Sequence, residues 1–313
     1  MLTNRGRVLM AAVLMLGAAL HAAAAERVPV VASFSVLGDL VRQVGGERVQ
    51  VQVLVGPGSD AHVYQPTPAQ ARTVAAARLV VSNGLGFEGW MSRFLRAAGF
   101  KGRHAVLAEG LAGPRRTGEA GVGPQGRHDH KGHRHDAAID PHVWQNVAHA
   151  VTMSHRVAEA LCAVDGAGCG EYTARAAAYG ERLQALDLEI RQGWAALPEP
   201  RRKVITSHDA FGHYAAAYGV RFLAPQGVST NAEASAQGVA TLVRQVRAEG
   251  VRAMFLENIA DPRLIEQIAR ETGVQPAGSL YSDSLSDAQG PAATYEAMMR
   301  HNTQLMLRAA SRP

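Results

Sequence analysis

The stretch VPVVASFSVLGDLVRQV, residues 28–44, carries two hydrophobic periods in succession. Val28 to Ala32 is a β-branched, apolar run, which reads as a strand buried in a sheet. From Ser35 the period changes. Val36, Leu37, Leu40, Val41 and Val44 share one face of a helix. Outward from this pair the same alternation repeats. Val49 to Val55, broken by Gln50 and Gln52, is a strand. Thr67-Pro68-Ala69-Gln70 is a capping box with proline at the first helical position, so a helix starts there. Leu79 to Ser82 is a strand, Glu88 to Ala98 a helix and Ala105 to Leu107 a strand. Strand–helix alternation of this kind implies parallel sheets flanked by helices.

The pattern breaks between Gly110 and Asp136. This segment is rich in Gly, Pro, Arg and His and has no hydrophobic period, so it reads as a mobile insertion. Helical sequence resumes from Val147 to Leu161. The Ala-rich stretch from Tyr172 to Leu197 has no internal proline and predicts one long helix. Past Pro198 and Pro200 the alternation restarts. Strands are expected at Lys203–Thr206, Val220–Leu223, Val251–Leu256 and Gln275–Gly278, and helices at Phe211–Tyr218 and Ser235–Glu249. A further helix opened by Asp261-Pro262 runs to Thr272, and the last spans Pro291–Ala310. The fold class expected is α/β. Two lobes with parallel-type sheets, residues 26–171 and 198–313, are joined by a long rigid helix over 172–197.

The first residues bear on compartment. Arg5 and Arg7 precede an apolar run from Val8 to Leu20, and Ala23 and Ala25 fit an A-x-A cleavage rule. Residues 1–25 are therefore expected to be a signal peptide, and the mature chain to be soluble in the periplasm. Removing Arg5 and Arg7 takes the formal charge from +5 to +3. The remaining Arg and Lys are scattered among Asp and Glu, and aromatic content is low at 5%, so no nucleic-acid surface is indicated. The only two cysteines, Cys162 and Cys169, are expected to pair in an oxidising compartment. Gly166, Gly168 and Gly170 give the short loop freedom to close.

Among thirteen histidines, three are isolated at strand-to-helix handovers. His62 lies in GSDAHVYQP after one strand, His142 in DPHVW after the insertion, and His208 in TSHD after the first strand of the second lobe. Asp283, in YSDS, follows the last strand. Ligands of open parallel sheets bind beyond the carboxyl ends of the strands, so these four residues, two from each lobe, can meet in a cleft. Three imidazoles and a carboxylate suit four-coordinate zinc. Manganese is the weaker alternative, because its sites lean toward oxygen. Asp60, Asp140 and Asp209 are candidates to hold the outer ring nitrogens, although each equally suits a turn or helix cap. His104, His149, His155, His213 and His301 lack the loop setting; His213, about one helical turn past His208, is the nearest rival. A separate cluster, His128, His130, His133 and His135, falls within the insertion and is expected to form an accessory loop that binds metal weakly.

At this point the chain resembles the cluster A-I solute-binding proteins of zinc and manganese ABC importers. The resemblance rests on GSDAHVYQPTPAQ, DPHVW, TSHDAFGHYAAAYG, the Gln226–Thr230 and Ala232–Ala236 segments, and FLENIADPRLIEQIARETG. It implies two α/β lobes joined by a long helix, with metal held by His62, His142, His208 and Asp283. It also implies transfer of the ion to a membrane permease by a monomeric, non-enzymatic carrier, with a periplasmic metallochaperone as a further partner. His208 stands where manganese-type members commonly carry Glu, which favours zinc. Gln145-Asn146 departs from the Leu-Asp-Pro common after DPHVW, so the start of the following helix is expected to differ. The rival from another class is a secreted zinc hydrolase, with Glu257 or Glu233 as base; no H-E-x-x-H or nucleophile elbow supports it.

Overall fold

The computed structural model describes residues 26–111 and 139–312. Residues 1–25, expected to be a signal peptide, and the histidines at 128–135 lie outside the described residues. The opening stretch folds as its periods dictate. Strand β1 (Val28–Phe34) runs directly into helix α1 (Ser35–Gly45), whose Val36, Leu37, Leu40, Val41 and Val44 are fully buried. Strands β2 (Val49–Val55), β3 (Leu79–Ser82) and β4 (Arg103–Val106) complete a parallel sheet in the order β2-β1-β3-β4. Its register sets Val30 opposite both Val51 and Leu79.

The Thr67 cap is formed as expected. Thr67 Oγ1 accepts the Gln70 amide, and Gln70 returns its side-chain oxygen to the Thr67 amide at 2.9 Å, opening α2 (Pro68–Ala76). The helix expected from Glu88 instead begins later, as α3 (Met91–Ala97). The reason is Glu88 itself. Its buried carboxylate accepts the Asn83 and Gly84 amides and the Ser33 hydroxyl, which holds residues 83–90 in a turn.

Helix α4 (Val147–Val164) and the 27-residue α5 (Cys169–Ala195) pack along each other and against α1. At 1.5 Å per residue α5 is about 40 Å long. It begins three residues before the expected start. Cys162 and Cys169 are joined in a disulfide across the α4–α5 corner, with Cα atoms 4.5 Å apart. Closing so short a loop is worth roughly 2–3 kcal/mol. Cys162 lies some 22 Å along the helix axis from Val147, the α4 residue nearest to His142. Reduction is therefore expected to lower the melting temperature and leave metal affinity near its oxidised value. A large affinity loss on titration of reduced protein would assign the bridge a role in the site.

The second lobe holds β5 (Lys203–Ile205), α6 (Gly212–Tyr218), β6 (Arg221–Leu223), α7 (Ala236–Glu249), β7 (Ala253–Met254), β8 (Leu256–Glu257), α8 (Arg263–Thr272), β9 (Ser279–Leu280) and α9 (Tyr295–Ala310). The single strand expected over Val251–Leu256 is divided. β7 joins a parallel sheet ordered β6-β5-β7, whereas β8 pairs with β9. The chain switches partners at buried Phe255, whose amide goes to the Ile205 carbonyl while that of Leu256 goes to Gly278. β9 starts beyond the expected Gln275–Gly278, after Gly278 with φ 137°, a conformation open chiefly to glycine. The last helix starts at Tyr295 and not at Pro291, because Thr294 Oγ1 accepts the Ala297 amide and fixes the cap there.

One hydrophobic core runs from the first sheet through α4 and α5 to Phe211, Tyr214, Phe255 and the inner face of α9. A smaller core lies between the second sheet, α7 and α8. No helix among the described residues is long and apolar enough to cross a membrane.

Candidate metal centre

Each of the four selected residues follows a strand end or precedes a helix. His62 lies in the loop between β2 and α2, and His142 just ahead of α4. His208 follows β5, and Asp283 follows β9. The fold brings all four together. One donor atom from each lies within 4.8 Å of the others, and all four residues are buried. His62 Nε2 is 3.3 Å from His142 Nε2 and 3.4 Å from Asp283 Oδ2. His142 Nε2 is 3.6 Å from Asp283 Oδ1, and His208 Nε2 is 3.3 Å from Asp283 Oδ2. Metal–donor bonds of about 2.0–2.1 Å in a tetrahedron place donors about 3.3 Å apart. These four separations lie near that edge, and the whole donor set spans no more than 4.8 Å.

Hydrogen bonding leaves these atoms little else to do. Both Asp283 carboxylate oxygens and His208 Nε2 are buried without a hydrogen-bond partner among the described residues. Buried polar atoms are seldom left so. They face one another across a space that a cation would fill.

The outer ring nitrogens of His142 and His208 are held, but not both by the expected residues. Asp140 Oδ1 accepts from His142 Nδ1 at 2.8 Å and from the His142 amide at 3.0 Å. Asp60 serves the turn instead. It accepts the His62 amide at 2.8 Å and the Thr230 hydroxyl, far along the chain, at 2.6 Å. For His208 the holding group is Glu257, which sequence reading assigned only to a rival mechanism. Glu257 Oε2 makes an ion-pair contact with His208 Nδ1 at 2.7 Å, although its alignment falls outside hydrogen-bond geometry. Glu257 Oε1 accepts the Ser207 and His208 amides at 2.6 and 2.9 Å. The one hint in the sequence is a carboxylate ending the apolar run AMFLE. Aromatic walls fix the rings further: His62 meets Phe87 at 4.6 Å, and His142 meets Trp144 at 5.3 Å.

Gln145 and Asn146, the departure noted after DPHVW, acquire separate tasks. Asn146 Oδ1 accepts the Ala148 amide and caps α4. Gln145 turns inward. With Trp144 it donates to the Ser282 carbonyl, at 2.8 and 2.9 Å, tying the loop of Asp283 to that of His142.

The electrostatics favour a cation. Burial disfavours charge on His142, yet Asp283 and Asp140 outweigh it and raise that imidazole to about 9. His208 is likewise raised well above its ordinary value, against burial, by Glu257 and Asp283. Asp283 is held well below the usual carboxylate range by the two histidines, again against burial. Three buried carboxylates, Asp140, Glu257 and Asp283, thus surround the imidazoles and call for positive charge. Glu257 is engaged by three nitrogens and Glu233 is exposed, so neither stands as the base of the hydrolase rival, which nothing here supports.

Comparison with known proteins agrees with this architecture. The chain is 31% identical over 298 residues to the zinc-binding protein TroA of Treponema pallidum, covering 93% of this chain and 91% of that protein. It is 27% identical to the iron-binding protein YfeA of Yersinia pestis, covering 87% and 82%. It is 29% identical to the manganese-binding lipoprotein MntA of Bacillus subtilis, covering 91% and 90%. The solved structure of the periplasmic zinc-binding protein TroA superposes with a TM-score of 0.82 at 29% identity, covering 91% of this chain and all of that one. The family model described as ZnuA, zinc-uptake complex component A, periplasmic, matches residues 30–309. The chain belongs to that family, the metal-binding, non-enzymatic solute-binding components of ABC transporters.

Proposed function

We propose that this chain is the periplasmic zinc-binding component of an ABC importer. In this reading His62, His142, His208 and Asp283 hold one Zn2+ between the lobes, and the loaded protein delivers it to the membrane permease. The observation that carries the reading is the convergence of four buried donors within 4.8 Å of one another, with His62–His142 and the three contacts to Asp283 near a tetrahedral edge. Zinc is preferred over manganese because three of the four donors are imidazole nitrogens and the intrinsic affinity order runs the same way. The shell uses four protein ligands, which leaves no position for an activated water, so capture and release is the task it suits. Residues 1–25 direct export in this reading, and His128, His130, His133 and His135 serve as an accessory metal-binding loop.

Calorimetric titration of metal-free mature protein with Zn2+ and Mn2+ tests the proposal. One equivalent of zinc is expected to bind at the cleft far more tightly than manganese; tighter manganese binding would overturn the assignment. The same titration has a second expected outcome. With His142 raised to about 9 and His208 raised as well, both rings of the metal-free protein carry protons near neutral pH, and the metal must displace them. Asp283, held low, does not compete. Apparent zinc affinity should therefore fall as pH is lowered below about 9, and the binding heat should vary with buffer in proportion to about two protons released. A pH-independent affinity between 6 and 9 would contradict the protonation pattern.

A further inference from the structure

Two histidines outside the cluster, both set aside on sequence grounds, meet beside it. His149 lies in the first turn of α4 and His213 in the first turn of α6. Their ring centroids are 5.3 Å apart with planes at 69°. Inside the main cluster, His62–His142 and His142–His208 are each 5.4 Å apart, at 57° and 70°. The outer pair therefore stands as close as rings of the main cluster do, near enough for both imidazoles to reach one ion.

The hydrogen bonds point the same way. His149 Nδ1 lies 3.2 Å from the Val143 carbonyl, and His213 Nε2 lies 3.1 Å from the Asp140 carbonyl. A carbonyl oxygen only accepts, so these two nitrogens carry the protons. When the rings are neutral, His149 Nε2 and His213 Nδ1 are each left with a lone pair. Neither has a hydrogen-bond partner among the described residues. An imidazole whose far nitrogen is pinned to a backbone carbonyl is in the state metal ligands adopt. Burial, then the neighbouring His213, lower the His149 pKa and keep that ring neutral. His213 is 6% exposed, while His149 is half-buried and open to solvent.

We infer that His149 and His213 form an auxiliary site for a divalent transition ion such as Zn2+, with water completing its shell. The site adjoins the main centre through one residue: the Asp140 carbonyl holds His213, and its carboxylate holds His142. Two neutral nitrogens with water bind an ion more weakly than three imidazoles with a carboxylate, so this site fills second. It does not depend on which metal the main cluster prefers.

The test uses the full mature chain with His128, His130, His133 and His135 changed to Ala, which removes those imidazoles as competitors. Titration with Zn2+ is expected to show one tight equivalent and one weaker one. His149→Gln and His213→Gln, each placed in that background, should abolish the weaker equivalent and leave the tight one unchanged. The retained tight equivalent reports that the variants fold. Nitrogen-15 spectra of the unsubstituted rings give a second readout: His149 Nε2 and His213 Nδ1 should shift only as the second equivalent is added. Absence of a weaker equivalent, its persistence in both variants, or unmoved ring nitrogens would overturn the proposal.

Discussion

His142→Ala is expected to weaken zinc binding by more than about a hundredfold, since loss of an outer partner alone commonly costs about 10–100-fold and His142 is a proposed direct donor. Its Nε2 is 3.3 Å from His62 Nε2 and 3.6 Å from Asp283 Oδ1, so its removal opens one vertex of the donor set. It also leaves the Asp140 carboxylate without its ring partner. The loop itself should persist, because Asp140 still accepts the backbone amide at position 142 and Asn83 still donates to the Pro141 carbonyl. Competition against a chelator of known affinity measures the loss. An unchanged affinity, in a variant that melts cooperatively, would remove His142 from the centre and with it the geometric basis of the proposed function.

Glu257 carries the second large effect. Glu257→Ala strips the outer partner from His208 and two acceptor bonds from the Ser207 and His208 amides. Zinc affinity should fall by about 10–100-fold. The metal-free protein should lose about 3–5 kcal/mol of stability, the cost of breaking a buried charge pair by removing one partner. Glu257→Gln separates the two roles. Its amide oxygen can still accept the two backbone protons, so the loop should hold, while the charge that raises the His208 pKa is gone. His208 should then release its proton at lower pH, and the proton count accompanying zinc binding should fall. Chelator competition at several pH values reads affinity and proton count together. If the Gln variant matches the wild type in both, Glu257 serves the loop only.

These two residues also mark where sequence reading reached its limit. His142 was legible because its loop setting is local: a strand-rich lobe, a break, then DPHVW opening a helix. The same holds for His62 and His208, each a few residues beyond a β-branched run whose carboxyl end fixes where the loop must lie. Glu257 was not legible in its actual role. It ends a two-residue strand that exists only because the chain changes sheets at Phe255, and that switch depends on which carbonyls are within reach: Ile205 on one side, Gly278 on the other. Likewise the turn before α3 follows from Glu88 reaching Ser33 and the Asn83 and Gly84 amides, contacts that no periodicity encodes.

The sequence alone determined the alternation of strands and helices, the parallel class, the long α5, the Thr67 cap and the loop positions of His62, His142, His208 and Asp283. All of these follow from side-chain period, backbone propensity and the direction in which a parallel strand delivers its loop. Only the tertiary structure decided that Asp140 and Glu257 meet the outer ring nitrogens of His142 and His208, while Asp60 takes the His62 backbone amide. It also decided that Gln145 and Trp144 share the Ser282 carbonyl, and that His149 meets His213. Hydrogen bonds and charge contacts act over about 3–4 Å between atoms far apart in the chain, so their partners are set by how the lobes pack.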